Sequence, residues 1–186
     1  MSSATSRVPA TRLVVTDAEA MNLALAEARL AEEHLDVPVG AVVVREGVVI
    51  AARHNERELT GDPTAHAEVL AIRDAAAHLG NWHLDECTIY VTLEPCTMCA
   101  GALVNARLAR VVFAATDPKA GAGGSLYNLL AEPRLNHRCV VESGLMRDEC
   151  SALLQAFFAA RRGRRPGHEA VQPTISAAAD AVDQTP

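Results

Sequence analysis

Three side chains with metal-ligand chemistry stand in two short motifs: His66 in His66-Ala67-Glu68, and Cys96 and Cys99 in Pro95-Cys96-Thr97-Met98-Cys99. One imidazole and two thiolates are a soft set that suits zinc, and three protein ligands leave the fourth tetrahedral position open. An open position is the mark of catalytic rather than structural zinc, and water is expected to fill it. Cys96 and Cys99 are one helical turn apart, so both sulfurs can point to one side of a helix start, where exposed N–H groups favour thiolate. Glu68 is two residues after the imidazole, close enough to handle protons of a water there without being needed as a ligand. It is the candidate general acid and base. A Cys-x-x-Cys pair alone also suits redox chemistry, and a purely structural zinc would call for a fourth Cys or His. The two motifs together favour a catalytic ion, one per chain.

The elements that must position these residues are readable from periodicity. Thr16 to Glu19 has capping-box spacing, and Met21, Ala24, Leu25, Ala28, Ala31 and Leu35 recur at helical intervals behind it. Val39 to Arg45 and Val48 to Arg53 are β-branched runs joined by Glu46-Gly47, a hairpin signature. The stretch 55–64 reads as a polar loop, and 65–79 as a helix stopped by Gly80, with His66 and Glu68 in its first turn. Thr88 to Leu93 predicts a strand, 96–106 a helix, Arg110 to Ala115 a strand, 116–125 a Gly-rich flexible rim, 138–142 a last strand, and 147–162 a last helix with a basic end. Helices and strands alternate after residue 65. Gly121, Gly123 and Gly124 lack the Lys-Ser/Thr that a phosphate-binding loop requires. Cys87, Cys139 and Cys150 are expected as small buried hydrophobes, and Trp82, Phe157 and Phe158 as core.

The chain has 186 residues, of which 49% are hydrophobic and 22% charged, which predicts one globular domain over 13–165. Segments 1–12 and 166–186 have few large apolar groups and are expected to be a disordered N-terminal extension and a disordered C-terminal tail. Five cysteines in an irregular set suit a reduced compartment, and with no secretory signal or apolar span in view a cytoplasmic location is expected. A formal charge of −6 argues against non-specific nucleic-acid affinity, so any RNA contact must be local. Neither a membrane nor DNA is an expected partner.

Longer strings carry a resemblance. Pro38-Val39-Gly40-Ala41-Val42-Val43, His54-Asn55, Asp62 to Glu68, Tyr90 to Cys96, Met98 to Ala102, Asp117-Pro118-Lys119, Gly124-Ser125-Leu126, Asn136-His137-Arg138 and Phe157-Phe158 are similar to the bacterial tRNA-specific adenosine deaminases, from about Leu13 to Arg162. The zinc motif alone also fits guanine, cytosine and related deaminases. The resemblance implies a three-layer α/β/α cytidine deaminase-like fold with a mixed five-stranded sheet, and a homodimer. It implies hydrolytic, zinc-dependent conversion of adenosine to inosine at the wobble position of an arginine tRNA. By the same resemblance Asn55 and the Ala67 backbone hold the flipped base, while Asp117, Lys119, Phe158, Arg161 and Arg162 grip the anticodon arm. Two departures stand out: Ala106 where relatives commonly have Ser, and a single lysine, Lys119, which leaves basic surface to arginine. The rival readings are a deaminase of free bases or nucleosides such as guanine or cytosine, and a zinc-stabilised RNA-binding module without turnover. Glu68 speaks against the latter, because a structural metal has no use for a free carboxylate beside it.

Overall fold

The computed structural model describes residues 14–163. The expectations for 1–12 and 166–186, and the basic pair Arg164 and Arg165, lie outside the described residues. The first helix, α1 (Asp17–Ala31), begins in a complete capping box: Thr16 Oγ1 accepts from Glu19 N–H, and the Glu19 carboxylate accepts from Thr16 N–H. A single 3-10 turn follows at Glu32–His34. Leu35 does not extend the helix as its spacing suggests. It sits at φ 67° and is exposed, because the chain turns there to enter the extended Val37-Pro38 segment.

Strands β1 (Gly40–Arg45) and β2 (Val48–His54) form the expected antiparallel hairpin. Its turn residues Glu46 and Gly47 both have positive φ, 50° and 73°, as a two-residue turn matching the strand twist requires. The polar stretch 55–64 is not all loop but contains a short helix, α2 (Arg57–Thr60). Asp36 explains it: this carboxylate is 2% exposed and accepts from the N–H groups of Glu58 and Leu59, a long-range cap that local periodicity does not register.

Then come α3 (Ala67–Leu79), β3 (Cys87–Leu93), α4 (Thr97–Asn105), β4 (Arg110–Ala115), β5 (Val140–Ser143) and α5 (Arg147–Gly163). The sheet order is β2-β1-β3-β4-β5, with β1 antiparallel to β2 and β3, and β3, β4 and β5 mutually parallel. The mixed five-stranded sheet is therefore as expected. Alternation sorts its side chains. Ala41, Val43, Ile89, Val91, Val111 and Phe113 face one side and pack on Ala71, Ile72, Ala100 and Leu103 of α3 and α4. Val42, Val44, Tyr90, Val112 and Ala114 face the other and pack on Ala20, Met21, Ala24 and Leu25 of α1 and Cys150 of α5. Helices on both faces make three layers. Each large side chain buried there, such as Met21 or Leu103, contributes roughly 1.5–3 kcal/mol.

The parallel step from β4 to β5 is made without a helix, by the long connection 116–139. Long connections in compact domains commonly carry function. Cys87, Cys139 and Cys150 are buried as expected, and so is Phe157. Trp82 and Phe158 are not core residues: they are 61% and 44% exposed, Trp82 lying on the ring of His83 in a loop and Phe158 facing outward beside the buried Phe157. No helix among the described residues is long and apolar enough to cross a membrane.

Candidate metal and active site

The site forms where the N-termini of α3 and α4 meet. His66 is the extended N-cap residue of α3, so its ring projects from the helix start rather than lying along it. Cys96 holds the same place on α4, and Cys99 falls in that helix's first turn. His66 Nδ1 lies 3.5 Å from Cys99 Sγ and 3.9 Å from Cys96 Sγ, and the three ligand atoms are all within 4.8 Å of one another. Two helix dipoles present their positive ends to this point, which favours the anionic form of a ligand.

The electrostatics agree with a cation site. A hydrogen bond from the Cys99 thiol, with help from His66, draws the Cys96 thiol down to about 3 against the opposing effect of burial. The same bond with Cys96, reinforced by burial, pushes Cys99 far up, so one thiol holds its proton for the other. A divalent cation resolves that competition by favouring both thiolates at once. The bond with Cys96 also raises the His66 pKa, against burial.

Glu68, in the first turn of α3, is 4% exposed. Burial pushes its pKa up, and its Oε2 is buried without a hydrogen-bond partner. An unpartnered buried carboxylate oxygen is costly, and such groups belong to sites where a proton or substrate atom arrives. Glu68 and His66 line a cavity of about 140 Å3, whose wall includes Asn55, Arg57, Glu94, Cys96 and Asp117. The donor set, its spacing and the orphaned oxygen beside it fit a catalytic zinc.

Asn55 is the joint of this wall. Its Oδ1 accepts from Ala67 N–H at 2.9 Å and its Nδ2 donates to Val37 C=O at 3.0 Å, so it ties the end of β2 to the start of α3 and to the segment entering β1. Those two backbone partners dictate which way the amide faces, and one donor and one acceptor of Asn55 remain for a ligand. The Ala67 N–H is engaged by Asn55. Asp117 lines the cavity, its Oδ1 accepting from the N–H groups of Lys119 and Ala120 at 2.9 and 3.3 Å. Lys119 is exposed between these lining positions.

Phe158, Arg161 and Arg162 are on α5, outside the cavity and exposed. Arg161 stacks on Phe157 at 5.5 Å and donates to Leu35 C=O at 3.2 Å, which sets the end of α5 beside the segment that runs on to the lining residues Val37 and Val39. Two charged lining residues have no role in the sequence reading, Arg57 and Glu94. Arg57 was hidden in the apparent loop, and its guanidinium makes no ion pair among the described residues. Glu94 is a carboxylate set directly between the end of β3 and Pro95, the one local sign that could have drawn notice.

Residues 15–162 match the model of the MafB19-like deaminase family. A tRNA-specific adenosine deaminase of Bacillus subtilis (strain 168) is 50% identical over 145 residues, spanning 78% of this chain and 90% of that protein. The chain belongs to the tRNA-specific adenosine deaminase family. Its members include that of Aquifex aeolicus (strain VF5), 49% identical over 138 residues, 74% of this chain and 91% of that protein. A solved structure from a study of A-to-I editing by tRNA:A34 deaminases at the wobble position superposes with a TM-score of 0.70 at 46% identity, covering 72% of this chain and 97% of that one. The guanine deaminase of Nitrosomonas europaea superposes at 0.63 with 26% identity, covering 80% of this chain and 87% of that one. This deaminase family and a purine-base deaminase thus share the scaffold, and identity rises sharply toward the tRNA-acting relatives.

Proposed function

We propose that the protein is a zinc-dependent hydrolytic deaminase that converts adenosine to inosine at the wobble position of a tRNA, with arginine tRNA as its expected substrate. The observation that carries the chemistry is Glu68, buried, unpartnered at Oε2 and set in a cavity wall beside His66, Cys96 and Cys99. The substrate is supported by the 44–50% identity to proteins named as tRNA-specific adenosine deaminases. Cytoplasmic residence accords with such a substrate.

His66 Nδ1, Cys96 Sγ and Cys99 Sγ would hold the zinc. When bound, the ion supplies the Lewis acidity that makes water a nucleophile near neutral pH. Glu68 accepts a proton from the attacking water, a role for which a carboxylate with a raised pKa is suited at neutral pH. It then carries protons to ring N1 and to the departing amine as water adds at C6 and the C6–N6 bond breaks, so adenosine and water give inosine and ammonia. Asn55 offers its remaining donor and acceptor to the base edge, held in place by Val37 and Ala67. An anticodon loop already exposes unstacked bases, which keeps the cost of inserting one low.

Arg57 at the cavity wall and Lys119, Arg161 and Arg162 outside it supply cations for phosphates, and Phe158 supplies an exposed ring for stacking. The exposed side chains Tyr127 and Leu135, which line a depression together with Thr97, Asn128, Leu129, Glu132 and Arg134, support a homodimer, since exposed large apolar groups with a polar rim suit a contact site. Incubating zinc-loaded protein with an arginine tRNA anticodon stem-loop carrying adenosine at position 34, and in parallel with free guanine, cytosine and adenosine, tests the reading by mass spectrometry. Inosine in the stem-loop alone is the expected result; deamination of a free base with an untouched stem-loop would replace it with a small-molecule deaminase.

A further inference from the structure

Glu94 directly follows β3, immediately before Pro95, and is 2% exposed, yet neither the candidate metal ligands nor the proton path uses it. Its carboxylate is occupied from outside its own strand. Oε1 accepts from Gly123 N–H and Ser125 N–H, each at 2.9 Å, and Oε2 accepts from Asp117 N–H at 2.9 Å and from the Ser125 hydroxyl. One side chain thus gathers three backbone donors from both ends of the Gly-rich span. The same segment closes on its neighbours: Ala122 N–H donates to Pro95 C=O at 2.8 Å, and Cys96 and Gly121 form an antiparallel bridge.

The glycines of this span answer to Glu94. A Cβ on Gly121 would lie 2.4 Å from Glu94 Cδ and 2.6 Å from Asp117 O, and one on Gly123 would lie 2.8 Å from a ring carbon of Phe113. No side chain fits where the loop meets the carboxylate. The rim that composition suggests is flexible is therefore tied down, and its tie is next to a metal ligand.

We infer that Glu94 is a positioning residue that clamps the loop bearing Asp117 and Lys119 to the segment bearing Cys96, so that the substrate meets this loop at a fixed distance from the reacting centre. The inference rests on the tRNA-deaminase reading and deepens it. A loop already ordered spares the substrate the entropy of ordering it, so the clamp acts on binding rather than on the bond-breaking step. In Glu94→Gln the amide NH2 must face either Asp117 N–H or the Gly123 and Ser125 pair, donor against donor, and at least one charge-assisted bond is lost.

The test uses the full, zinc-loaded chain as wild type, Glu94→Gln and Ser125→Ala, with steady-state kinetics on the stem-loop, zinc content by elemental mass spectrometry, and amide hydrogen exchange over 117–125. Glu94→Gln is expected to raise KM about tenfold, leave kcat within about threefold, keep its zinc and speed exchange at Gly123 and Ser125. Ser125→Ala, which removes one donor and keeps the carboxylate, should raise KM by a smaller factor and serves if Glu94→Gln does not fold. Faster exchange with KM unchanged would reduce Glu94 to a structural prop, and a large fall in kcat with KM unchanged would move it into the chemistry; either overturns the inference. If wild type leaves the stem-loop untouched, the functional reading fails on that arm alone, and exchange unchanged in Glu94→Gln then refutes the clamp separately.

Discussion

Removing the Asn55 side chain is expected to loosen the site before it affects any substrate. Asn55 is 5% exposed and satisfies two backbone groups, the Ala67 N–H at 2.9 Å and the Val37 C=O at 3.0 Å. In Asn55→Ala both lose their partner in a place water reaches poorly, at about 1–3 kcal/mol each. Taking about 3 kcal/mol for the pair, and about 2–4 °C per kcal/mol for a domain of this size, the melting temperature falls by about 6–12 °C. Because Ala67 is the first residue of α3, the loosening reaches His66 and Glu68, and zinc affinity should weaken with it. Calorimetry on zinc-loaded wild type and variant, followed by zinc retention against a graded chelator, reads both effects. A melting temperature within about 2 °C of wild type would show that the two backbone groups find other partners, and the anchoring role derived for Asn55 would be wrong.

Glu68→Gln keeps the shape of the cavity wall and all three candidate ligands, so zinc content should be unchanged while kcat on the stem-loop falls by about 100-fold to 10,000-fold; appreciable residual turnover would remove Glu68 from proton transfer. Stripping the ion from protein loaded at a thousandfold excess over Kd should cost about 4 kcal/mol, an apparent melting shift of about 8–16 °C, and an unchanged melt would deny that His66, Cys96 and Cys99 bind a metal. Tyr90 is pushed up to about 12 by burial and by its hydrogen bond to Asp17, so its neutral phenol stabilises the fold fully below about pH 10 and that contribution is lost as pH rises through about 12. In alkaline melts Tyr90→Phe should therefore lose less stability across that window than wild type does; equal losses would place the effect elsewhere.

Much of this architecture is local and hence legible. The Thr16–Glu19 box, the Glu46-Gly47 turn and the alternating valines of β1 each carry their signal within a few residues, and so do the metal motifs, whose ligands lie at helix starts whose boundaries the sequence marks. What stays hidden depends on partners far along the chain. Asp36 creates α2 by accepting from Glu58 and Leu59, and Glu94 organises the 117–125 loop from a position more than twenty residues earlier, just after β3. No periodicity reports such bonds. Leu35 and Trp82 show the opposite error, where large apolar side chains suggest burial but the backbone turns them outward. The resemblance points to Asn55 as a base-holding amide, but its bonds to Val37 and Ala67 are not legible, since they join three elements that come together only in the folded chain.

The parallel step from β4 to β5 that no helix spans divides the molecule's labour in a way that bears on its history. The candidate reacting groups come from the first part of the chain, on the starts of α3 and α4, while the long connection comes after β4 and adds Asp117 and Ala120 to the cavity wall. Changes beyond residue 115 touch the segment bearing Cys96 through few bonds, those at Glu94, the Ala122 N–H to Pro95 C=O bond and the Cys96–Gly121 bridge. A scaffold arranged in this way can change what it accepts faster than what it does, and the superposition with a guanine deaminase at 26% identity is what such divergence would leave behind.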